Sequence, residues 1–345
     1  MRKTGIAMSG GVDSSVAALL VLQSGCEALG VTMRAFEGAP RRDETDAAAV
    51  AARLGFEHVT VDLCEDFRNT VMKYFADSYI AGETPNPCVY CNKAIKFGVL
   101  FDRIKALGCD TIATGHYARI NKNDPSGRIL LERAVYKEKD QSYVLWQLSQ
   151  GQLAGAMFPL GEYTKPQVRD IAAENGFISS DRPDSQDICF VPDGHYREFI
   201  EDFIGRKFAE GDFVGTDGRL WGRHKGLIGY TVGQRKGLGI SAPSPLYVIR
   251  KSAEENRVYL GSHEELFSKR VEARDINLIA VEKIDSSLRV TAKTRYSQTE
   301  AAATVFQTGE GTLVAEFDEP QRAITAGQSL VFYSGETVVG GGIIC

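Results

Sequence analysis

The sequence has no apolar run near the roughly 20 residues needed to cross a bilayer, and its N-terminus carries no long apolar segment of the secretory kind. A soluble, cytoplasmic protein without a membrane partner is expected. Charge of one sign is also lacking, since 40 Lys and Arg face 45 Asp and Glu, a formal net charge of -5. No global attraction to nucleic acid follows, and an RNA partner would need local basic patches. Seven cysteines in a chain with no secretory signal argue against a disulfide scaffold. No second CxxC accompanies Cys88 and Cys91, so the ligand set of a zinc knuckle is incomplete. Internal repeats and low-complexity tracts are absent, and 345 residues at 43% hydrophobic content suffice for two or three domains.

What is present starts with a β-like run, residues 5–8, that enters Ser9-Gly10-Gly11-Val12-Asp13-Ser14-Ser15 and then an apolar helical run, 16–22. Adjacent glycines let consecutive amides point into one concavity at a helix N-terminus, where the dipole favours anions. Ser9, Ser14 and Ser15 add hydroxyls. No lysine follows Gly11, which excludes a Walker A loop. Asp13 is placed to hold Mg²⁺ against a pyrophosphate group. The loop resembles the SGGxDS motif of the ATP pyrophosphatases, which split ATP between its α and β phosphates.

Through the first half, short β-branched runs alternate with helical ones, as in a parallel sheet covered on both faces. Strands are expected at 28–34, 58–63 and 110–114, and helices at 45–54, 67–79 and 92–107. Ligands of such sheets lie beyond the carboxyl ends of the strands, where Ser9, Met33 and Gly115 fall. Beyond about residue 207, glycines and basic residues crowd 222–226 and 233–239 between short alternating strands, a small β-rich unit with candidate phosphate contacts. Strand-like segments at 288–296, 312–317 and 329–333 suggest a C-terminal β-barrel. The expected fold is α/β: a doubly wound parallel sheet in 1–207, a β-rich domain in 208–266 and a barrel in 267–345.

A second informative segment runs from Gly82 through Thr84-Pro85-Asn86-Pro87-Cys88-Val89-Tyr90-Cys91-Asn92. The prolines hold the chain extended and present Cys88 and Cys91 at the mouth of the following helix, where a thiolate is stabilised. The pair suits redox chemistry or metal ligation. Cys189 is the candidate third thiol. It follows a helix capped by Thr164 with Gln167 at the capping-box position, Pro166 in its first turn and Gly176 beyond its end. Cys26, Cys64, Cys109 and Cys345 sit among apolar or glycine-rich neighbours and read as inert.

The chain resembles the tRNA-specific 2-thiouridylases, the MnmA/TrmU family, throughout its length. The matching residues are 9–15, Thr84-Pro85-Asn86-Pro87 with Cys91-Asn92, Thr114-Gly115-His116-Tyr117, Lys139-Asp140-Gln141-Ser142-Tyr143, 185–190, 233–239, Lys293-Thr294-Arg295-Tyr296 and 320–332. The resemblance implies an N-terminal domain like the adenine nucleotide hydrolases. It also implies ATP-dependent formation of 2-thiouridine at the wobble position of tRNAs for Lys, Glu and Gln, through adenylation of the C2 oxygen. Ala7, Met8, Ser9, Gly10, Gly11, Val12, Asp13, Ser14, Met33 and Gly115 would then bind ATP. Cys189 would carry a persulfide from a sulfur-donor protein, and Cys91 would release the sulfur, leaving a Cys91–Cys189 disulfide. Asn86, Pro87 and Cys88 would line the target base, with His116, Lys139, Asp140, Gln141, Arg295, Tyr296 and Gln328 contacting the tRNA, and the enzyme would act as a monomer.

One position departs from the family, whose commonest loop carries aspartate where Cys88 stands. Three thiolates, Cys88, Cys91 and Cys189, could hold a four-iron cluster that binds free sulfide. That route and the persulfide route are both open at the level of sequence. Another adenylating ligase and a non-enzymatic, redox-sensing RNA module are the alternatives, separated from the thiouridylase reading by tRNA-dependent pyrophosphate release.

Overall fold

β1 (Lys3–Ala7) runs parallel to β2 (Glu27–Arg34) on one side and β4 (Thr111–Ala113) on the other. In this computed structural model, which describes residues 3–177, 188–191 and 194–345, β3 (Glu57–Asp62) flanks β2 and a short strand, Ala156–Met157, flanks β4. Of the expected motif at 185–190, Ser185, Gln186 and Asp187 lie outside the described residues. The sheet buries its centre on both faces, so Ile6 sits in register between Gly30 and Ala113 with no exposure. α1 (Val12–Gln23) is apolar nearly all round because it is packed on nearly all sides, with Val16, Ala17 and Ala18 fully buried. α2 (Arg41–Leu54) starts four residues before the expected position, with Asp43 and Glu44 in its first turn, where the dipole favours acids.

Two long helices depart from regular winding. The segment after β3 is α-helical at Cys64–Phe67, π-helical at Arg68–Met72 and α-helical again at Lys73–Ile80. The helix expected at 92–107 begins earlier, at Pro87, with Asn86 as N-cap accepting from the Cys88 amide at 3.2 Å. Proline lacks the amide that a first helical turn leaves unpaired, so Pro87 opens the helix and does not hold the chain extended. The same helix then winds as a π-helix over Asn92–Val99, is broken at Gly98, and resumes at Leu100–Ala106.

The remaining two sheets are antiparallel or mixed. Strands Gly211–Gly215, Leu220–His224, Tyr247–Ser252 and Arg257–Gly261 form the central one. His224, expected in a phosphate-contacting loop, is instead fully buried there, its Nε2 paired with the Asn256 carbonyl oxygen at 3.1 Å and its ring against Phe213 and Tyr230. Six strands from Phe267 to Ile344 close into a barrel, because Phe267–Leu278 pairs with both Thr312–Arg322 and Thr337–Ile344.

The barrel does not stand apart from the nucleotide-type sheet. A hairpin of the first half, Ala118–Asn121 with Leu130–Arg133, adds to its last strand through Thr337 and Val338, opposite Glu132 and Leu131. Trp146 is fully buried against this strand, where a Cβ at Gly341 would lie 2.7 Å from the indole. Tyr143 donates to the Ser329 carbonyl at 2.7 Å, and Asn277 donates to the carbonyls of Trp146 and Leu148. Trp146, Val331 and Val338 belong to the same apolar cluster as Phe67 and Phe75. Trp146→Ala is expected to destabilise the fold by about 3–5 kcal/mol, read as a lowered denaturant midpoint with an early loss of barrel structure.

Candidate nucleotide and thiol site

The loop from Ser9 to Ser15 leaves β1 and turns into α1 at Gly11, an extended N-cap with no side chain of its own to bond the first amides. Gly10 has φ +69, and a Cβ there would strike the Asp43 carbonyl oxygen at 2.7 Å. The first-turn amides are thus left for an anion. Ser9 is exposed in the cradle. Ser14 and Ser15 do not offer their hydroxyl protons outward: each donates to the Gly11 carbonyl, at 3.1 and 2.9 Å, and Ser14 Oγ also accepts from the Ser9 amide. Met8 and Val12 are buried beneath the loop, Ala7 and Met33 partly so. Gly115, at the end of β4, packs so closely on α1 that a Cβ would be 2.9 Å from the Asp13 carbonyl carbon and the Ser14 nitrogen.

Asp13 does not face an open metal position. Both of its carboxylate oxygens accept from Lys165 Nζ at 2.8 Å, and one accepts from the Tyr117 hydroxyl at 2.8 Å. A cation already neutralises this carboxylate, so Mg²⁺ does not fit here in the way the motif suggests. Lys165 is buried at the first position of helix Lys165–Glu174, whose capping box is formed by Thr164 and Gln167 as expected. A lysine in a first helical turn opposes the dipole, which was the one local sign that it answers a remote acid.

The three thiols are neighbours. Burial pushes the Cys91 thiol up to about 12, with Lys96 pulling it down and the adjacent Cys189 and Cys88 adding to the rise. Desolvation also raises Cys88 and Cys189, both of which keep surface open to solvent, and Lys96 lowers both. Cys189 is brought in by Phe190, whose ring packs edge-on against Phe67 and Phe75. The expectation of a stabilised thiolate at the helix mouth is overturned: Cys91 lies beyond the first turn that starts at Pro87, where the dipole fades while desolvation persists. Among the described residues, no three His, Cys, Asp or Glu side chains are placed to hold a metal ion. A cluster spaces its cysteines wider than a single ion does, and the three neighbouring thiols leave that route and the persulfide route both open.

Lys96 was not singled out in the sequence. Five residues beyond Cys91, it would turn away in an α-helix, but i to i+5 is the repeat of the π-helix that Asn92–Val99 adopts. It also lowers His116, which burial already holds well below its ordinary value and therefore neutral. His116 Nδ1 pairs with Thr114 Oγ1 at 2.7 Å, and its ring packs against Phe97 and Phe158. From Gly115 on the phosphate cradle, through His116, to Lys96 and the thiols, the two chemistries adjoin.

Of the residues expected at the RNA, Cys88 and Tyr296 are exposed and Asn86 is partly so, whereas Pro87 is buried. Asp140 accepts from the Ala134 and Ser142 amides and the Ser142 hydroxyl, and Gln141 Oε1 from the Tyr117 amide. Lys139 ends the short helical turn Lys137–Lys139 that precedes them. Arg295 turns inward, donating to the Val232 and Ala323 carbonyls and to Thr325 Oγ1. Gln328 Nε2 donates to the Thr84 carbonyl at 2.7 Å. Tyr296 donates to the Asp140 carbonyl and lies against Tyr143.

Three families match successive parts of the chain: the tRNA methyl transferase HUP domain at residues 2–193, the tRNA methyl transferase PRC-barrel domain at 197–262 and the aminomethyltransferase beta-barrel domain at 268–344. The tRNA-specific 2-thiouridylase MnmA of Clostridioides difficile is 44% identical over 353 residues, 99% of this chain and 98% of that protein. Proteins of the same name from Acetivibrio thermocellus and Lachnoclostridium phytofermentans are also 44% identical, each with 99% of its own length covered, over 99% and 100% of this chain respectively.

Gly115→Ala is expected to weaken ATP binding by at least about tenfold, because the Cβ displaces the α1 N-terminus, and Lys165→Met by a similar factor; titration calorimetry reads both. Acid dependence follows from His116. Its folded-state value lies below the ordinary 6.5, so the unfolded chain binds the proton first as pH falls. Stability is thus expected to drop below about pH 6.5, and His116→Gln to flatten that decline in denaturation measured between pH 5 and 8.

Proposed function

This chain belongs to the tRNA-specific 2-thiouridylase family, and on that premise we propose the following reaction and residue roles. The enzyme is a tRNA-uridine 2-sulfurtransferase that uses ATP to replace the C2 oxygen of the wobble uridine with sulfur. The observation that carries the assignment of its site is the adjacency of the phosphate cradle to three thiols, with Gly115 on α1 and His116 beside Phe97 and Lys96. A methyl donor would need no thiols there. Sulfur transfer does.

ATP lies with its phosphates over the amides of residues 9–14 and its adenosine towards Met33 and Gly115. Lys165 holds Asp13 as a matched ion pair beside the cradle, so that the carboxylate does not repel the phosphates. The uridine C2 oxygen attacks the α phosphate, pyrophosphate leaves, and the poor leaving group becomes AMP. A donor protein delivers sulfane sulfur to Cys189 as a persulfide. Cys91 then attacks the inner sulfur of that persulfide, forming the Cys91–Cys189 disulfide and expelling hydrosulfide, which adds to C2 and displaces AMP. An external thiol reductant reopens the disulfide with two electrons.

Burial holds the Cys91 thiol up to about 12 even with Lys96 pulling it down, so Lys96 favours the attacking thiolate without by itself producing it at neutral pH. Asn86, Cys88 and Tyr296 face the flipped base. Lys139 contacts the RNA backbone, and Asp140, Gln141 and Arg295 hold the surface that the RNA meets. The units 1–207, 208–266 and 267–345 act together as one monomer on the tRNA. No helix among the described residues is long and apolar enough to cross a membrane, and the reaction takes place where tRNA is found, in the cytoplasm.

Cys91→Ser and Cys189→Ser are expected to abolish sulfur incorporation while tRNA-dependent pyrophosphate release continues, measured with labelled sulfur and a pyrophosphate assay. Lys96→Met should slow sulfur transfer roughly tenfold or more, about the weight of one electrostatic contact, with Lys96→Arg retaining most of the rate. Protein purified without oxygen should contain no stoichiometric iron, and Cys88→Ala should still thiolate. Iron lost on that substitution, together with activity, would replace the persulfide route with a cluster.

A further inference from the structure

The segment that leads into the target-base loop is held almost wholly by the other two sheets. The Thr84 amide donates to the Ala326 carbonyl at 2.8 Å, and the Thr84 carbonyl accepts from Gln328 Nε2 at 2.7 Å. The Glu83 carboxylate accepts from Arg274 Nη2 of the barrel at 2.8 Å, and the Glu83 carbonyl lies 3.4 Å from Lys251 Nζ of the central sheet, which stands over the Tyr79 ring. Only the Glu83 amide is satisfied locally, by the Ser78 carbonyl. The approach is tight: Gly327 has φ +88, and a Cβ on it would be 2.9 Å from the Glu83 Cβ and 3.0 Å from the Thr84 nitrogen. The Gln328 backbone is in turn fixed by the last barrel strand, its carbonyl accepting from the Ile344 amide.

Asn86 and Cys88 come two and four residues after this junction, each directly preceded by a buried proline, Pro85 and Pro87. Proline fixes φ and leaves little torsional slack, so a displacement of residues 83–84 is passed on to the helix start and its thiols. One N–H of the Gln328 side-chain amide is committed to the loop.

We propose that Glu83, Arg274 and Gln328 are positioning residues that strap the target-base loop to the barrel, so that Asn86, Cys88 and Cys91 take their working geometry only while barrel and nucleotide sheet are docked. The proposal rests on the thiouridylase reading for its catalytic consequence, though not for the strap itself. It gives Gln328 a role that acts through Thr84.

The test uses full-length Glu83→Gln, Arg274→Met and Gln328→Met, each close in shape to the original residue, with thermal melting to verify the fold. At saturating ATP and tRNA, single-turnover pyrophosphate release should fall about tenfold in each, with the tRNA Kd within about twofold of wild type, the signature of lost positioning. Glu83→Arg and Arg274→Glu should each be impaired, and their combination should recover to within about threefold. Hydrogen exchange of the amides of residues 88–91 in the free protein should quicken at least about tenfold in the same variants. Unchanged exchange in all of them would overturn the strap, whatever the activity. A tRNA Kd raised about tenfold by Gln328→Met, with the saturated rate intact, would overturn its positioning role and make it an RNA contact. A wild-type enzyme that releases no pyrophosphate with tRNA would refute the thiouridylase reading instead, and the exchange measurement would still decide the strap.

Discussion

The contact between Gly115 and the first turn of α1 sets the dimensions of everything around it. A side chain at 115 would lie 2.9 Å from the backbone of Asp13 and Ser14, so only glycine lets β4 and the phosphate cradle meet. Because they meet, the next residue, His116, is carried over the cradle's edge into the apolar space formed by Phe97 and Phe158. The helix that holds Phe97 also carries Cys91 and Lys96. Nucleotide chemistry and sulfur chemistry are thereby joined through two consecutive residues, with no long mobile connection between them.

The charges in this region follow from dryness. His116 is buried and neutral, Cys91 is pushed up by the same desolvation, and the Asp13 carboxylate is matched by Lys165. In a region of low dielectric, an unmatched charge is strongly disfavoured, while a single well-placed cation acts over several groups. Lys96 is that cation for the thiols. A resting site of protonated thiols is also protected from adventitious oxidation, since the thiolate is the reactive form.

Docking between the sheets uses both apolar and polar contacts. Trp146 under Gly341 supplies the buried area, and the hydrogen bonds of Tyr143, Asn277, Gln328 and Arg274 give the interface its register. The added hairpin, Ala118–Asn121 with Leu130–Arg133, continues the barrel sheet into the first half of the chain. With so much shared structure, the barrel is tied to the loop at residues 83–88.

Local order was legible in the sequence. The strand–glycine–helix pattern at 5–22, the alternating strands and helices, and the capping box at Thr164 rest on spacing within a dozen residues and are found; the late strands expected at 288–296, 312–317 and 329–333 run over 288–293, 312–322 and 329–334. Family motifs carried the chemistry as well. Other features had no local sign: Lys165 against Asp13, Arg274 against Glu83, Gln328 against Thr84 and Trp146 beneath Gly341 are each separated by more than 150 residues. The π-helical winding over Asn92–Val99, which brings Lys96 towards Cys91, had no sign in the local spacing either. The sequence by itself determined which segments are helix, strand and phosphate loop, since propensity, capping and periodicity act between near neighbours. Tertiary structure alone decided which charges meet, which thiols are dry and what holds the target-base loop, since burial and long-range pairing exist only once the sheets have docked.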